Sequence, residues 1–305
     1  MSLYPPPTQI KTTVFASVPE QFRTRKRTIW ADTNRGGEAL DCFLEGPSFD
    51  RDGNLWVVDI PHGRIFRVAP DGAWTLVTQY DGEPNGLKFD KAGRIFIADY
   101  KNGIMQLDPA SGAVTPLVDR RRLERFKGCN DLFFAANGDM YFTDQGQTGL
   151  QDPTGRVYRW RDGTLDLLIG TVPSPNGLVM NLAENQLFVA VTRANAVWRL
   201  PLMADGGVSK VGVFIQLSGG NGPDGMALDS EGNLYVAHVG NGRVFSFSPL
   251  GHPIHCIVSC TGLSITNMAF GGKDNRSLFI TESETGTILR AELPVAGKTM
   301  YSHAP

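Results

Sequence analysis

The stretch DGMALDSEGNLYVAHV, residues 224–239, consists of two short apolar runs that flank a turn-forming segment. Five other stretches share this plan and begin at Glu45, Asn85, Asn130, Asn176 and Asn267. In chain order, with Asp224 included, successive starts are separated by 40, 45, 46, 48 and 43 residues. An internal repeat of that length is typical of proteins built from stacked or radially arranged units.

The repeated unit is predicted to be β-structure. Its apolar residues alternate or occur in short runs rich in Val, Ile, Phe and Tyr, between turns of Gly, Asp and Asn. A third segment such as GRVFSFSP follows each pair of runs, and usually a fourth such as TLDLLIG. Six units of four strands predict an all-β fold, a six-bladed β-propeller with four-stranded antiparallel blades around a central channel. We expect residues 1–305 to form this single domain.

Residues 1–40 precede the first repeat and contain KTTVFASV, a segment with the composition of a strand. We expect the region from Thr12 to Ser17 to pair beside GTILRAEL, residues 286–293, and so complete the last blade. Closure of this kind removes a free sheet edge that would otherwise invite association. The polar stretch from Arg23 to Asp41 is compatible with a loop that crosses one face of the propeller.

An oxygen-bearing side chain opens each of the six repeats, and we call this set the channel ring: Glu45, Asn85, Asn130, Asn176, Asp224 and Asn267. If the first strand of each blade lines the channel, these positions meet near its mouth. Two carboxylates and several amide oxygens suit a divalent cation such as Ca²⁺. The alternative is that Asn-Gly and Asp-Gly serve as ordinary turn dipeptides. The recurrence of polar oxygens at all six positions favours cation binding.

Composition excludes several other classes of function. A net charge of −2 and a pI near 6.2 give no indication of nucleic-acid binding. The run RRRLERFK, residues 120–127, is predicted to be either a solvated loop or a basic rim that attracts anionic or polyhydroxylated ligands. With no apolar stretch long enough for a membrane span and no leader-like N-terminus, a cytoplasmic protein without membrane partners is expected. Four cysteines without CxxC spacing are expected to be buried thiols.

Four motifs resemble the SMP-30/gluconolactonase family, LRE-like proteins included, in the family's order and spacing: EGPSFD, CNDLFF, SPNGL and GPDGM. The resemblance extends over nearly the whole chain. It implies a six-bladed propeller with one catalytic divalent cation in the central channel. It also implies a lactonase that acts on sugar lactones, so the expected partner is a small lactone. Organophosphate-hydrolysing enzymes with similar ligand rings are among the relatives of this family.

The same resemblance implies which residues bind the cation: Glu45, Asn130, Asn176 and Asp224. Asp224 is also our candidate for the general base that activates water, with metal-bound hydroxide as the alternative. The residues expected to contact substrate are Asn85, Lys127, Asn130, Asp131, Gln147 and His238. One departure concerns Gly128, since sugar-lactone members of the family often have Arg at that position; Lys127 or Arg125 could take its place.

The sequence therefore predicts a metal-dependent hydrolase that opens a sugar lactone or a related γ- or δ-lactone. A bound cation would polarise the carbonyl, and an activated water would attack it. Ca²⁺ is the expected ion, while Zn²⁺, Mn²⁺ and Fe²⁺ also bind oxygen-rich sites. Two alternatives remain open: a phosphotriesterase-like hydrolase, and a non-catalytic binding propeller with a structural cation.

Overall fold

A computed structural model describes residues 4–304 of the chain. Its first elements are two short strands, β1 (Thr8–Lys11) and β2 (Thr13–Ser17). A 3₁₀ turn (Glu20–Phe22) and a six-residue helix, α1 (Ile29–Asn34), come next. None of the helices in this described range is long and apolar enough to span a membrane.

The repeats form six sheets that surround a central channel. Blade one comprises β3 (Leu44–Phe49), β4 (Leu55–Asp59), β5 (Arg64–Val68) and β6 (Trp74–Gln79). Blade two comprises β7 (Pro84–Phe89), β8 (Ile95–Asp99), β9 (Gly103–Leu107) and β10 (Val114–Val118). A two-stranded hairpin, β11 (Arg120–Arg121) and β12 (Glu124–Arg125), separates this blade from the next. Blade three comprises β13 (Cys129–Phe134), β14 (Met140–Asp144), β15 (Gly155–Arg161) and β16 (Thr164–Val172).

The second half of the chain repeats this arrangement. Blade four comprises β17 (Pro175–Met180), β18 (Gln186–Val191), β19 (Ala196–Pro201) and β20 (Gly212–Gln216). Blade five comprises β21 (Gly222–Leu228), β22 (Leu234–Val239), β23 (Arg243–Phe247) and β24 (Pro253–Val258). Blade six contains β25 (Ile265–Gly271), β26 (Ser277–Glu282) and β27 (Thr287–Glu292). Further 3₁₀ turns lie at Ile60–His62, Thr192–Ala194 and Tyr301–His303.

Within each blade, neighbouring strands run antiparallel in chain order, from an inner strand to an outer one. The innermost strands of adjacent blades contact one another in an unbroken circle: β3 with β7, β7 with β13, β13 with β17, β17 with β21, β21 with β25, and β25 with β3. The first strand of each repeat therefore lines the channel. The predicted six-bladed propeller is confirmed.

The N-terminal strands join the last two blades. β2 pairs antiparallel with β27, so that Thr13 lies opposite Arg290 and Ser17 opposite Thr287. It supplies the fourth, outer strand of blade six. β1 adds to blade five as a fifth strand, parallel to β24. The pairing of β1 was not predicted, because the run before Thr12 is too short and polar to be distinguished from a loop.

The stretch from Arg23 to Asp41 contains α1 and lies over one face of blade one. Trp30 and Ala31 are buried against Ile60. The Thr28 hydroxyl caps α1 by accepting a hydrogen bond from the Ala31 N–H at 3.2 Å, which satisfies one of the free donors at the helix start. This segment therefore has a fixed position at one end of the channel.

Apolar side chains fill the spaces between neighbouring blades. Val58 and Ile65 of blade one pack with Leu87 and Ile97 of blade two, and all four are almost inaccessible to solvent. Each such side chain contributes about 1.5–3 kcal/mol by leaving water. Similar clusters between the other blades hold the channel-lining strands in a fixed circle.

All four cysteines are free thiols. Cys42, Cys129 and Cys256 are buried, as expected. The expectation is wrong for Cys260, which is exposed. It follows β24 in the bend that leads to blade six, outside the packed strands.

Candidate functional site in the central channel

The strand pairing is irregular at the channel ring in every blade. The register between first and second strands shifts in the intervals Glu45–Ser48, Pro84–Gly86, Cys129–Leu132, Pro175–Leu178, Pro223–Met226 and Ile265–Asn267. A local irregularity of this kind changes the direction in which a side chain points, and it is common next to functional sites. It lets the ring side chains leave the regular alternation of the strand.

Glycine follows the ring residue in four blades because neighbouring strands approach very closely there. A Cβ on Gly225 would lie 2.0 Å from Asn267 Oδ1, and one on Gly177 would lie 2.5 Å from the Asp224 carbonyl oxygen. These Gly residues lie within strands and not in turns. The Asn-Gly and Asp-Gly pairs therefore belong to channel packing, and the turn-dipeptide alternative does not describe them.

The ring side chains are shielded from bulk water to different degrees. Five of them are buried, with at most 7% of their surface exposed: Glu45, Asn85, Asn130, Asn176 and Asn267. Asp224 alone is half-buried. Asp224 is therefore the most exposed residue of the ring.

Hydrogen bonds connect ring residues from different blades. Asn267 Nδ2 donates to Glu45 Oε2 at 2.9 Å and to Asp131 Oδ2 at 3.4 Å. Asn267 Oδ1 accepts from the Met268 N–H at 2.8 Å, so both ends of this amide are used. Asp224 is hydrogen-bonded to Asn176. Blades one, three and six thus meet at one cluster, and blades four and five at another.

The amide of Asn130 is oriented by a neighbouring loop. Its Nδ2 donates to Gln145 Oε1 at 3.0 Å, and Gln145 Nε2 in turn donates to Ser174 Oγ at 2.9 Å. Because the nitrogen of Asn130 is committed in this way, the oxygen is the atom of this amide that is left to meet a ligand. Gln145 was not predicted as a site residue from the sequence, since it is not one of the six recurring ring positions.

Burial and mutual repulsion raise the pKa values of the channel carboxyls. The pKa of Glu45 rises to about 8, first through burial and then through the charge of Asp131. The pKa of Asp224 is raised by burial and by the charges of Glu45 and Asp131. Lys88, on β7, opposes the rise in the pKa of Glu45 and Asp131. Three carboxyls therefore influence one another in a channel with little compensating charge, an arrangement that a divalent cation would stabilise.

The donor set fits a hard divalent cation. Within residues 4–304, no group of three or more His, Cys, Asp and Glu side chains converges in metal-binding geometry. A cation would therefore depend on amide oxygens as well as on the Glu45 and Asp224 carboxylates. Carboxylate and amide oxygens together are typical of Ca²⁺ sites, where mixed charged and neutral oxygen ligands are common.

The expected substrate contacts do not all lie together. Gln147 Nε2 donates to Tyr100 Oη at 2.7 Å and to Asn34 Oδ1 at 3.2 Å, which fixes it beneath α1. Lys127 Nζ is hydrogen-bonded to Thr154 Oγ1.

Two of the other expected contacts have different surroundings. Asp131 Oδ2 accepts the hydrogen bond from Asn267 Nδ2 that is described above. The side chain of Asn85 is buried and makes no hydrogen bond with the residues that the structure describes.

His238 is fully buried near the end of β22, the second strand of blade five. A polar residue recurs at this position in several other blades. Its Nδ1 accepts from Asn241 Nδ2 at 2.9 Å, and its Nε2 is 3.2 Å from Asn195 Oδ1. Equivalent positions in other blades carry acids that bind nearby backbone; Asp59, for example, accepts from the Phe43 N–H at 2.7 Å. Both ring nitrogens of His238 are thus engaged in holding loops.

The basic run at 120–127 forms the β11–β12 hairpin and its continuation. Arg120 and Arg125 are both paired with Asp119, at 2.7 and 3.3 Å. Both side chains are solvent-exposed. This favours the solvated-loop alternative, and it pairs Arg125 with Asp119.

A polar cavity of about 360 Å³, which we call the mouth cavity, lies on the side of the ring that Gln145 and Ser174 reach. It is lined by Asn34, Gln145, Gly146, Gln147, Thr148, Leu150, Gln151, Ser174 and Arg193. A second, larger cavity of about 550 Å³ is lined by Asp131 and Lys88 at one end and by the segment from Lys298 to His303 at the other. Neither Arg193 nor Lys88 could be predicted as a site residue from the sequence, because neither lies at one of the six recurring ring positions.

The fold and the ring define a class of protein: six-bladed β-propellers with a carboxylate and amide site inside the central channel. The chain belongs to the SMP-30/gluconolactonase/LRE-like family, whose sequence model matches residues 43–284. The resemblance seen in the sequence motifs is thereby confirmed.

Curated relatives cover most of the chain. It is 33% identical to lactonase drp35 of Staphylococcus aureus (strain MRSA252) over 247 residues, 77% of this chain and 74% of that protein. It is 30% identical to a gluconolactonase of Zymomonas mobilis over 284 residues, 82% of this chain and 79% of that protein. Both relatives are named as lactonases, which is the class of enzyme that the sequence motifs predict.

Solved structures show the same architecture. A gluconolactonase from Xanthomonas campestris superposes with a TM-score of 0.73 at 25% identity, over 83% of this chain and 86% of that one. A regucalcin from Agrobacterium tumefaciens, described as a calcium-binding protein, superposes with a TM-score of 0.75 at 21% identity, over 98% and 99% of the two chains. The latter similarity concerns the fold alone.

Proposed function

We propose that this protein is a lactonase whose channel ring binds one divalent cation, with Ca²⁺ as the first choice. The proposed ligands are Glu45, Asn130, Asn176 and Asp224. The observation that carries the proposal is the convergence of three carboxyls: Asn267 bridges Glu45 and Asp131, and the charges of both raise the pKa of Asp224. Membership of a lactonase-containing family supports the same conclusion.

When bound, the cation would polarise the lactone carbonyl and acidify water. The Asp224 carboxylate, half-buried and steadied by Asn176, accepts the proton of the attacking water. The water oxygen bonds to the carbonyl carbon, the ring C–O bond breaks, and the departing oxygen takes up a proton to give a hydroxy acid. Asn130, fixed by Gln145, holds its oxygen toward the reacting group.

The expected substrate-binding residues fall into two groups, those that contact substrate directly and those that support the site. Asn130 and Gln147 border the mouth cavity or the ring directly and are the best-placed contacts. Lys127, Asp131 and His238 act by supporting these groups or the channel walls, because most of their polar atoms are engaged elsewhere. Asn85, whose side-chain amide makes no hydrogen bond within the described residues, is kept as a proposed substrate contact. Lys127 is bonded to Thr154 and lies 4.0 Å from Asp152.

The test is hydrolysis of a panel of aldonolactones and simple γ- and δ-lactones by metal-stripped protein, followed with a pH indicator while each divalent ion is added back. We expect cation-dependent acid release. Asp224→Asn should lower kcat at least 100-fold, the order expected for loss of a general base. Asp205→Asn, in an exposed turn of blade four, is the matched control and should retain activity.

Three results would contradict the proposal. Turnover of organophosphates in preference to every lactone would favour a phosphotriesterase-like hydrolase. Tight cation binding without turnover of any lactone, ester or phosphotriester would favour a binding propeller with a structural cation. Full lactonase activity in Asp224→Asn would remove Asp224 from the mechanism.

A further inference from the structure

Arg193 projects from the rim of the mouth cavity. It lies in the 3₁₀ turn Thr192–Ala194 between β18 and β19, and its side chain is exposed. It is the one charged side chain that lines the cavity among the described residues, where the other lining groups are mainly amides and hydroxyls. A cation placed among neutral hydrogen-bonding groups indicates a site for a polar, anionic ligand.

The backbone of this turn is fixed to both neighbouring channel strands. The Thr192 N–H donates to the Ser174 carbonyl at 3.0 Å, and Thr192 Oγ1 donates to the Pro223 carbonyl at 2.8 Å. Ser174 and Pro223 lie two residues and one residue before Asn176 and Asp224, respectively. Arg193 is therefore held in a defined position relative to two proposed cation ligands.

The guanidinium of Arg193 is available for a ligand. Within residues 4–304 it makes no hydrogen bond or ion pair, whereas other cations near this face are engaged. Lys127 is bonded to Thr154, and Arg156 is paired with Asp144 at 2.6 Å.

We propose that Arg193 determines substrate specificity by binding a carboxylate, so that the preferred substrate is a polyhydroxylated lactone that also carries a carboxylate group. This inference rests on the proposed lactonase function. Arginine presents paired N–H donors that match the two oxygens of a carboxylate. The amide of Gln151 and the side-chain oxygen of Gln147 provide hydrogen-bonding groups for the hydroxyls of such a substrate.

The experiment compares kcat/KM for two lactones that differ at one carbon: D-glucaro-1,4-lactone, which has a distal carboxylate, and D-glucono-1,4-lactone, which has a hydroxymethyl group there. Wild type should prefer the acidic lactone. Arg193→Gln should lower kcat/KM for it by roughly 10- to 100-fold, mainly through KM, and change the neutral lactone less than about threefold. Arg193→Lys should be intermediate, because lysine keeps the charge without the paired geometry.

Arg199→Gln is the control, since Arg199 is also exposed in blade four but lies on β19, outside the mouth cavity. It should behave as wild type. Equal loss on both lactones in Arg193→Gln, or no preference for the acidic lactone in wild type, would overturn the inference.

A binding measurement separates this inference from the proposed function. D-Glucarate, the open-chain dicarboxylate, is titrated during thermal unfolding in the presence of the most activating cation, or of Ca²⁺ if none activates. Stabilisation of wild type and Arg199→Gln but not of Arg193→Gln supports the carboxylate site even if no lactone is hydrolysed. Equal stabilisation of all three proteins, or of none, would count against it.

Discussion

At the scale of single residues, the channel combines groups that are costly to bury together. Glu45, Asp131 and Asp224 are brought within electrostatic range of one another, and Asn267 bridges the first two. A protein selected for stability alone would not need such a cluster, because buried charges are expensive unless they are paired. The cation that we propose would offset this cost.

The first prediction concerns Glu45→Gln. The substitution removes an acid whose pKa is raised to about 8 while it keeps the shape of the side chain. The metal-stripped variant should be more stable than metal-stripped wild type at pH 8, but it should gain much less stability when Ca²⁺ is added. Thermal unfolding with and without the cation measures both effects. A variant that is stabilised by Ca²⁺ as strongly as wild type would exclude Glu45 as a ligand.

The second prediction is a pH dependence that follows from the same group. Glu45 ionises near its ordinary value of 4.5 in the unfolded chain but only near 8 in the folded, metal-free protein. Its contribution to the free energy of unfolding therefore falls as the pH rises from about 4.5 to 8, because the unfolded state loses its proton first. Metal-stripped wild type should show this decline more steeply than Glu45→Gln in urea titrations.

Cation affinity should change in the opposite sense over that range. The ligand must lose its proton before it binds, so affinity should increase as the pH rises toward 8 and then level off. Calorimetric titrations at pH 6, 7 and 8 would check the trend. An affinity independent of pH would show that Glu45 does not give up a proton on binding.

At the scale of strands, the channel ring depends on two features that act together: the register shifts in the first strands, and the glycines that let those strands approach. Gly225 lies against Asn267 of the next blade, and Gly86 lies against Asp131. These contacts connect the position of one ring residue to the backbone of its neighbour. The geometry of the site is thus a property of adjacent blades and not of any one repeat.

The third prediction is that Gly225→Ala disturbs the site. Its Cβ would lie 2.0 Å from Asn267 Oδ1, so the Asn267 amide or the strand must move. We expect a destabilisation of about 1–3 kcal/mol from this overpacking, together with weaker cation binding. Gly212→Ala on β20, where a Cβ meets nothing within 4 Å, is the control and should cost less than about 0.5 kcal/mol.

Denaturant titration and calorimetric cation binding give the two readouts. If Gly225→Ala matches the Gly212→Ala control in both, the close approach of strands does not determine the site.

Repetition explains which parts of the structure could be predicted. The six positions from Glu45 to Asn267 were identified because each recurs in the same place in its repeat, and a propeller converts that recurrence into proximity. Arg193, Gln145 and Lys88 lie at the same site without recurring, so only the folded chain brings them together. His238 shows the same limit. Its place near the end of a strand suggested a side chain that could reach substrate, but in the folded chain its ring nitrogens are hydrogen-bonded to Asn195 and Asn241.

At the scale of the whole molecule, two features close the propeller into a circle. The first and last blades contact each other, and a strand from the N-terminus completes the last blade. β25 of blade six contacts β3 of blade one, while β2 from the N-terminus supplies the outer strand of blade six. The β1 pairing adds a further connection, to blade five. A fixed circle keeps the ring side chains of different blades at one point in the channel.

The fourth prediction is that a chain lacking residues 1–18 is destabilised and associates, because it loses β1 and β2 and leaves the edges of β24 and β27 unpaired. Cation affinity should fall as well, since blade six carries Asn267. A chain lacking only residues 1–6 keeps both strands and is the control. Light scattering and thermal unfolding would measure the difference; equal behaviour of the two truncations would show that closure does not need β2.

The most direct test of the account is the initial rate of lactone hydrolysis by metal-stripped protein during stepwise addition of Ca²⁺, with bound Ca²⁺ measured in parallel. We predict negligible hydrolysis at the start and a rise that saturates as one ion binds per chain, and we predict no such rise for Asp224→Asn. Hydrolysis that is undiminished in the stripped protein, or a saturated cation site without turnover of any lactone, would contradict the account.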